Sequence, residues 1–203
     1  MDEMNEEETR IIPPLPTKVF VYFTLMYIGP MICSTFFMFF FKMLTPFEYF
    51  KMYSTPTAII PTIGLIAFII FLCKYIQKAL ESYDGTEESV RRTNKAAKKF
   101  ETIGMITAAL NGTICWLIVI PAAAKTNIQC EKIPILLLLN GSVFLFALFF
   151  YICFLQNFEK NLSLLPFSVE YKSMSLSVRS ILVTFFGCSG IVLMTVGGTG
   201  MEE

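Results

Sequence analysis

Asn111 and Asn140 stand in stretches otherwise built from Leu, Ile, Ala, Val and Phe. They therefore carry the most polar chemistry those stretches offer. A side-chain amide in hydrocarbon needs partners, because leaving it unsatisfied costs several kcal/mol. Two uses fit. The amides can hydrogen-bond between helices, worth roughly 0.6–2 kcal/mol each, or they can line a small polar ligand pocket together with Thr107 and Ser142. Tyr22, Tyr27, Ser34 and Thr62 are further candidates for the same lining.

Other chemistry is scarce. The sequence has no histidine, which removes the usual proton shuttle and a common metal ligand. Its six cysteines include no CxxC pair, and all but Cys130 lie in or beside apolar runs, as small packing residues do. No GxSxG, P-loop or HExxH pattern occurs, and no nucleophile stands near a base. We expect no catalytic residue, cofactor or metal, and not an enzyme. Apart from Lys74 near the end of the second, which can snorkel to the headgroups, the apolar runs contain no Asp, Glu, Lys or Arg, the groups that pumps and proton-coupled transporters place in the membrane. A small transporter or channel and a structural membrane subunit stay as alternatives to a binding module. A formal net charge of zero, with no basic groove interleaved with aromatics, predicts no nucleic-acid partner.

The elements that must position these residues are long and apolar. Hydrophobic residues make up 55% of the 203 and charged ones 16%, against about 25% charged in soluble domains. Five runs approach the ~20 residues that a ~30 Å hydrocarbon core requires: about 19–41, 57–76, 102–124, 133–155 and 180–198. The expected fold class is an all-α integral membrane protein, a bundle of about five transmembrane helices over residues 18–200, with the lipid bilayer as its partner. Residues 1–17 form an acidic, proline-bearing tail rather than a signal peptide, which would begin basic. Gly29-Pro30 falls inside the first run and predicts a kink there.

The connection 79–101 reads as helical. Asp84-Gly85 makes a turn, Thr86 an N-cap, and Glu87 and Glu88 suit the positive end of the helix dipole. The helix should continue without a break into the third span, carrying Arg91, Arg92, Lys95, Lys98 and Lys99 to the headgroups as a solvated face or a docking surface. Lysine and arginine set the orientation. Twelve lie on the side of the tail, this connection and the segment after the fourth span, and four lie opposite. The chain should sit in the cytoplasmic (inner) membrane with its N-terminus in the cytoplasm.

Gly104, Ala108 and Gly112 recur every four residues and put three small side chains on one helix face. Such a face lets backbones approach closely in lipid. It serves packing within the bundle, or pairing with a second copy or another membrane protein. Ser180, Thr184 and Cys188 form a weaker stripe of the same kind.

Several segments form a pattern. They are Phe158-Glu159-Lys160, Leu164-Leu165-Pro166-Phe167, Met174-Ser175-Leu176-Ser177-Val178-Arg179-Ser180 with Phe185-Phe186, and the turn Tyr83-Asp84-Gly85-Thr86 with Arg91-Arg92 and Lys98-Lys99-Phe100-Glu101. Together they resemble the membrane region of spirochaete-type multi-pass methyl-accepting chemotaxis receptors over about residues 15–195. The resemblance implies a sensory input module for chemotaxis or related signal transduction, binding a small or lipidic ligand. In those receptors a sixth span, a HAMP linker and a coiled-coil signalling rod follow. Neither a sixth span nor a heptad segment lies within these residues, so the module is expected to sense or bind without signalling alone.

Overall fold

The computed structural model describes residues 15–163 and 176–199, and every described element is helical. Helix α1 covers Thr17–Phe40, α2 Pro46–Tyr53, α3 Pro56–Glu81 and α4 Glu87–Lys125. Helix α5 (Lys132–Ser142) passes through a π-helical segment, Val143–Ala147, into α6 (Leu148–Leu162), so that 132–162 form one rod. Helix α7 covers Leu176–Thr199. Five of these rods are long and apolar enough to cross a membrane. The protein is an all-α membrane bundle. Residues 1–14, which hold most of the acidic tail, lie outside the described residues, as do the Leu164-Leu165-Pro166-Phe167 and Met174-Ser175 segments.

Lipid as solvent explains the surface. Phe36 is 63% exposed and Ile60 69%, among many large apolar side chains on the outer faces of α1, α3, α4 and α7. In water such continuous patches would drive association, whereas against acyl chains they cost nothing. Helix α4 is the longest element at 39 residues, or about 58 Å at 1.5 Å per residue. That is nearly twice the hydrocarbon thickness of ~30 Å, so its first turns stand clear of the apolar layer.

The local signals act as their chemistry dictates. Thr86 accepts a hydrogen bond from the Ser89 N–H at 3.2 Å and caps α4, with Glu87 and Glu88 in the first turn. At the other end of the bundle Thr45 and Glu48 form a reciprocal capping box that starts α2. This short helix presents Phe47 and Phe50 outward and buries Met52. Its Lys51 ammonium donates to the Thr126 carbonyl at 3.2 Å and ties α2 to the end of α4. Pro30 lies inside α1, where it leaves the Met26 carbonyl without its usual donor.

Helices α1, α4 and the 132–162 rod form the centre, α3 packs on α4, and α7 packs on α5. One apolar cluster fills the half of the bundle that holds the 82–86 turn. Its aromatic heart stacks Phe23 on Phe100 at 4.5 Å, with Phe154 and Phe158 beside them. A second cluster of Met38, Met52, Val119, Ala122 and Leu138 fills the opposite half. Glu101 is buried at the margin of the first cluster, one residue before the expected third span.

Glycine sets the close approaches. A Cβ on Gly112 would stand 2.8 Å from the Asn140 Cα, and one on Gly104 would stand 2.6 Å from the Phe23 ring. Both face inward, beside buried Ala108, so the four-residue stripe is taken up within the chain. The weaker stripe of Ser180, Thr184 and Cys188 points outward and is not used for packing within the chain. Helix α7 instead meets α5 through Gly190 and Gly197. A Cβ on Gly197 would lie 2.9 Å from the Pro134 carbonyl oxygen, and one on Gly190 would lie 3.0 Å from the Gly141 carbonyl oxygen. Bare backbone approaches closer than a hydroxyl or thiol allows, and that decides which face of α7 packs. Replacing Gly197 with valine should therefore separate α7 from α5 and destabilise the bundle by ~1–3 kcal/mol, the usual cost of overpacking. Unfolding in mixed micelles measures this, and an unchanged midpoint would contradict the packing.

Candidate functional site

Of the two uses open to Thr107, Asn111, Asn140 and Ser142, pairing between helices or lining one pocket, the helices divide the four and give Asn111 and Asn140 the first. Positions 107 and 111 are four apart on α4 and face α1. There the Thr107 hydroxyl lies 2.6 Å from the Tyr27 hydroxyl, and Tyr27 also donates to the Gly104 carbonyl at 3.2 Å. The Asn111 amide donates to the Tyr27 carbonyl at 3.0 Å, in the turn that Pro30 weakens, while its oxygen accepts from the Cys115 thiol at 3.7 Å. Asn140 belongs to a second clasp. Its Oδ1 accepts from the Thr113 hydroxyl at 3.0 Å and its Nδ2 donates to the Leu136 carbonyl at 2.9 Å. Ser142 is fully buried and its hydroxyl has no hydrogen-bond partner. These residues join α1 to α4 and α4 to α5. They do not converge on a common space, because Thr113 lies two residues from Asn111 and thus nearly opposite it on the helix.

Of the further candidates, Ser34 and Thr62 each return a hydroxyl bond to their own helix, to the Met31 and Ala58 carbonyls. Trp116 was not singled out from the sequence. Its indole N–H donates to the Lys132 carbonyl at 2.8 Å and ties α4 to the start of α5.

The cavity lies elsewhere and is apolar. An apolar crevice, open at one side, runs between α4, the π-helical segment with α6, and α7. Its walls include Met105 and Ala109 of α4, Ala147 and Tyr151 of the rod, and Leu182 and Phe186 of α7. Three alanines (108, 109 and 147) leave the room, and two methionines (26 and 105) give it pliable walls. Geometry opens it. Helix α7 is held to α5 by the Gly190 and Gly197 contacts at one end, while it meets α6 only weakly. No residue motif announces such a crevice, since each lining side chain reads as ordinary packing. The Tyr151 hydroxyl donates to the Met105 sulfur at 3.5 Å and bridges two walls.

The basic residues stand apart from the core. Arg91, Arg92, Lys95, Lys98 and Lys99 are all exposed, while Ser89, Thr93, Ala96, Ala97 and Phe100 fill the buried face of the same segment. The Arg92 guanidinium donates to the Ser82 carbonyl at 2.8 Å, and the Thr93 hydroxyl donates to the Ala79 carbonyl at 3.2 Å. Together they lock the α3–α4 turn. Within that turn the hydroxyls of Ser89 and Thr86, with the Thr86 N–H, hold the Asp84 carboxyl down at about 2.

No known protein family, curated protein or solved structure matches the chain. The fold by itself defines the class: a multi-pass α-helical membrane protein with interhelical polar clasps and an apolar crevice open to lipid.

Replacing Tyr27 with phenylalanine removes the bonds to Thr107 and Gly104, and Asn111→Leu removes the bond to the Tyr27 carbonyl. Each should cost roughly 0.6–2 kcal/mol, and the double variant should cost less than their sum, because both act on one clasp. Thermal denaturation in detergent measures this, and strict additivity would contradict it. The turn makes a separate prediction. Asp84 has its carboxyl depressed below its ordinary 3.8, so the ordering it gives is complete above about pH 4 and fades as pH falls through about 2. The Thr86 amide resonance should titrate with a midpoint near 2 rather than near 3.8, and Asp84→Asn should abolish that titration.

Proposed function

We propose that the chain is a membrane-embedded sensory input module of a signal-transducing receptor, of the kind found ahead of chemotaxis signalling rods. It sits in the cytoplasmic membrane with its N-terminus in the cytoplasm. The crevice between α4, α6 and α7 carries this reading. Four helices contribute to one apolar space, so whatever fills it bears on the relation of α7 to α6. The ligand is accordingly small and apolar or lipidic. The Asn111 and Asn140 amides, spent on helix pairing, do not bind it.

Transmission follows from the same walls. Val143, Phe144 and Ala147 belong both to the crevice and to the π-helical segment. Such a segment holds one extra residue per turn and is frequently a point of functional adjustment. A ligand that binds better to one arrangement of this segment shifts the population toward it, by no more than that difference in affinity. Helix α4 lines the crevice and runs unbroken to the charged turn at 82–86. It is thus a rigid lever from the membrane interior to the side richer in lysine and arginine. That asymmetry supports the cytoplasmic assignment of the turn.

An uncharged photoreactive alkyl probe should label Met105 and Leu182 in the native protein. Ala109→Phe, which fills the crevice, should reduce labelling several-fold without unfolding the bundle. In cells, loss of the chain should alter taxis, and the same substitution should reproduce that phenotype. Unsaturable labelling together with normal taxis would overturn the reading. Substrate-specific flux in proteoliposomes would replace it with a transporter.

A further inference from the structure

The crevice does not end at an anonymous surface. At 3.6 residues per turn, Lys95, Lys98, Thr102, Met105 and Ala109 fall within about 80° of one another on α4. Met105 and Ala109 form the α4 wall of the crevice, and Lys95 and Lys98 are exposed beyond it toward the 82–86 turn. Seven residues separate Lys98 from Met105, about 10 Å along the axis. A leaflet's headgroup layer is about 5–8 Å thick, so this stagger sets a lysine ammonium at phosphate depth and the crevice at acyl-chain depth. Among the described residues neither ammonium has an ion-pair partner. Helical side chains also lean toward the N-terminus, which tilts both lysines into the headgroup layer.

We infer that α4, α6 and α7 form a binding site for one anionic phospholipid of the leaflet nearest the 82–86 turn. One acyl chain lies in the crevice and the phosphate lies at Lys98 and Lys95. The proposal rests on the reading of the crevice as a ligand site and names its occupant. The walls suit a flexible chain: Met105 and Leu182 adapt, and Ala109 and Ala147 leave the width of a methylene run. Two basic charges near the surface distinguish the occupant from a zwitterionic lipid, since each attracts anionic headgroups. Lys99 stands about 100° from Lys98 and about 120° from Met105, on the far side of Lys95 from the crevice wall, and serves as an internal control.

The test uses the full chain reconstituted in phosphatidylcholine vesicles with spin-labelled phosphatidylglycerol or spin-labelled phosphatidylcholine at trace level. The protein-associated fraction of each label gives their relative affinity. The native chain should prefer the phosphatidylglycerol label about thirtyfold, as expected for two headgroup charges. Lys95→Gln with Lys98→Gln should bring the preference close to one, while Lys99→Gln should leave it nearly intact. Ala109→Phe should lower the association of both labels. Both lysines are exposed, so the charge variants should keep the native melting temperature. Equal association of the two labels would overturn the inference, as would a preference that survives the double substitution or falls equally with Lys99→Gln. If the two labels associate equally but Ala109→Phe still expels both, the crevice remains a site for apolar ligands and only the anionic headgroup is refuted.

Discussion

Hydrocarbon offers no hydrogen bonds, and that constraint governs the rest of the bundle. An amide or hydroxyl drawn into the apolar layer is costly unless it finds a partner within the protein, and the Ser142 hydroxyl is left without one. Tyr27 meets Thr107, Gly104 and Asn111 across the α1–α4 contact, and Asn140 meets Thr113 across the α4–α5 contact. These two clasps fix the rotation of α4 against both central neighbours. Apolar side chains alone fix it poorly, because lipid solvates them as well as a neighbouring helix does.

Once α4 is fixed, close approach does the remaining work. Gly112 lets the α5 backbone pass at Asn140, and Gly104 lets Phe23 lie flat in the aromatic stack. Gly190 and Gly197 do the same for α7 against α5. Because those contacts concentrate at one end, α7 cannot also follow α6 along its length. The crevice is the geometric remainder, and its width is set by alanines where larger residues would close it. A void lined by flexible methionines and open to acyl chains is one that lipid can enter, so binding there competes with the surrounding bilayer rather than with water.

The charged segment at the start of α4 connects this interior to the aqueous phase. Its buried face is fastened to α3 by Thr93 and braced by Arg92, which keeps the helix continuous through the headgroup layer. The exposed lysines are thereby held in fixed register with the crevice below them. On a flexible loop the same charges would attract a leaflet equally well but would not mark a position along it. Continuity of the helix converts a diffuse basic patch into an address.

Sequence by itself determined the solvent, the number of spanning helices and the capped start of α4. Apolar runs of spanning length, and Thr86 ahead of Glu87 and Glu88, act through local chemistry that needs no partner helix, whereas α2 and its Thr45–Glu48 capping box emerged only in the structure. It also located the inward stripe at Gly104, Ala108 and Gly112, since a four-residue period fixes a face. Which helix each face meets was decided only by the tertiary structure. Asn111 and Asn140 look alike in sequence, yet they belong to different clasps. On α7 the polar Ser180–Thr184–Cys188 stripe turns outward, and Gly190 and Gly197 make the contact. The crevice was likewise invisible, because a void is a property of the angles between helices. Its lining of Met, Ala, Leu and Phe is the composition of any lipid-embedded core, and only the divergence of α7 from α6 makes it a space.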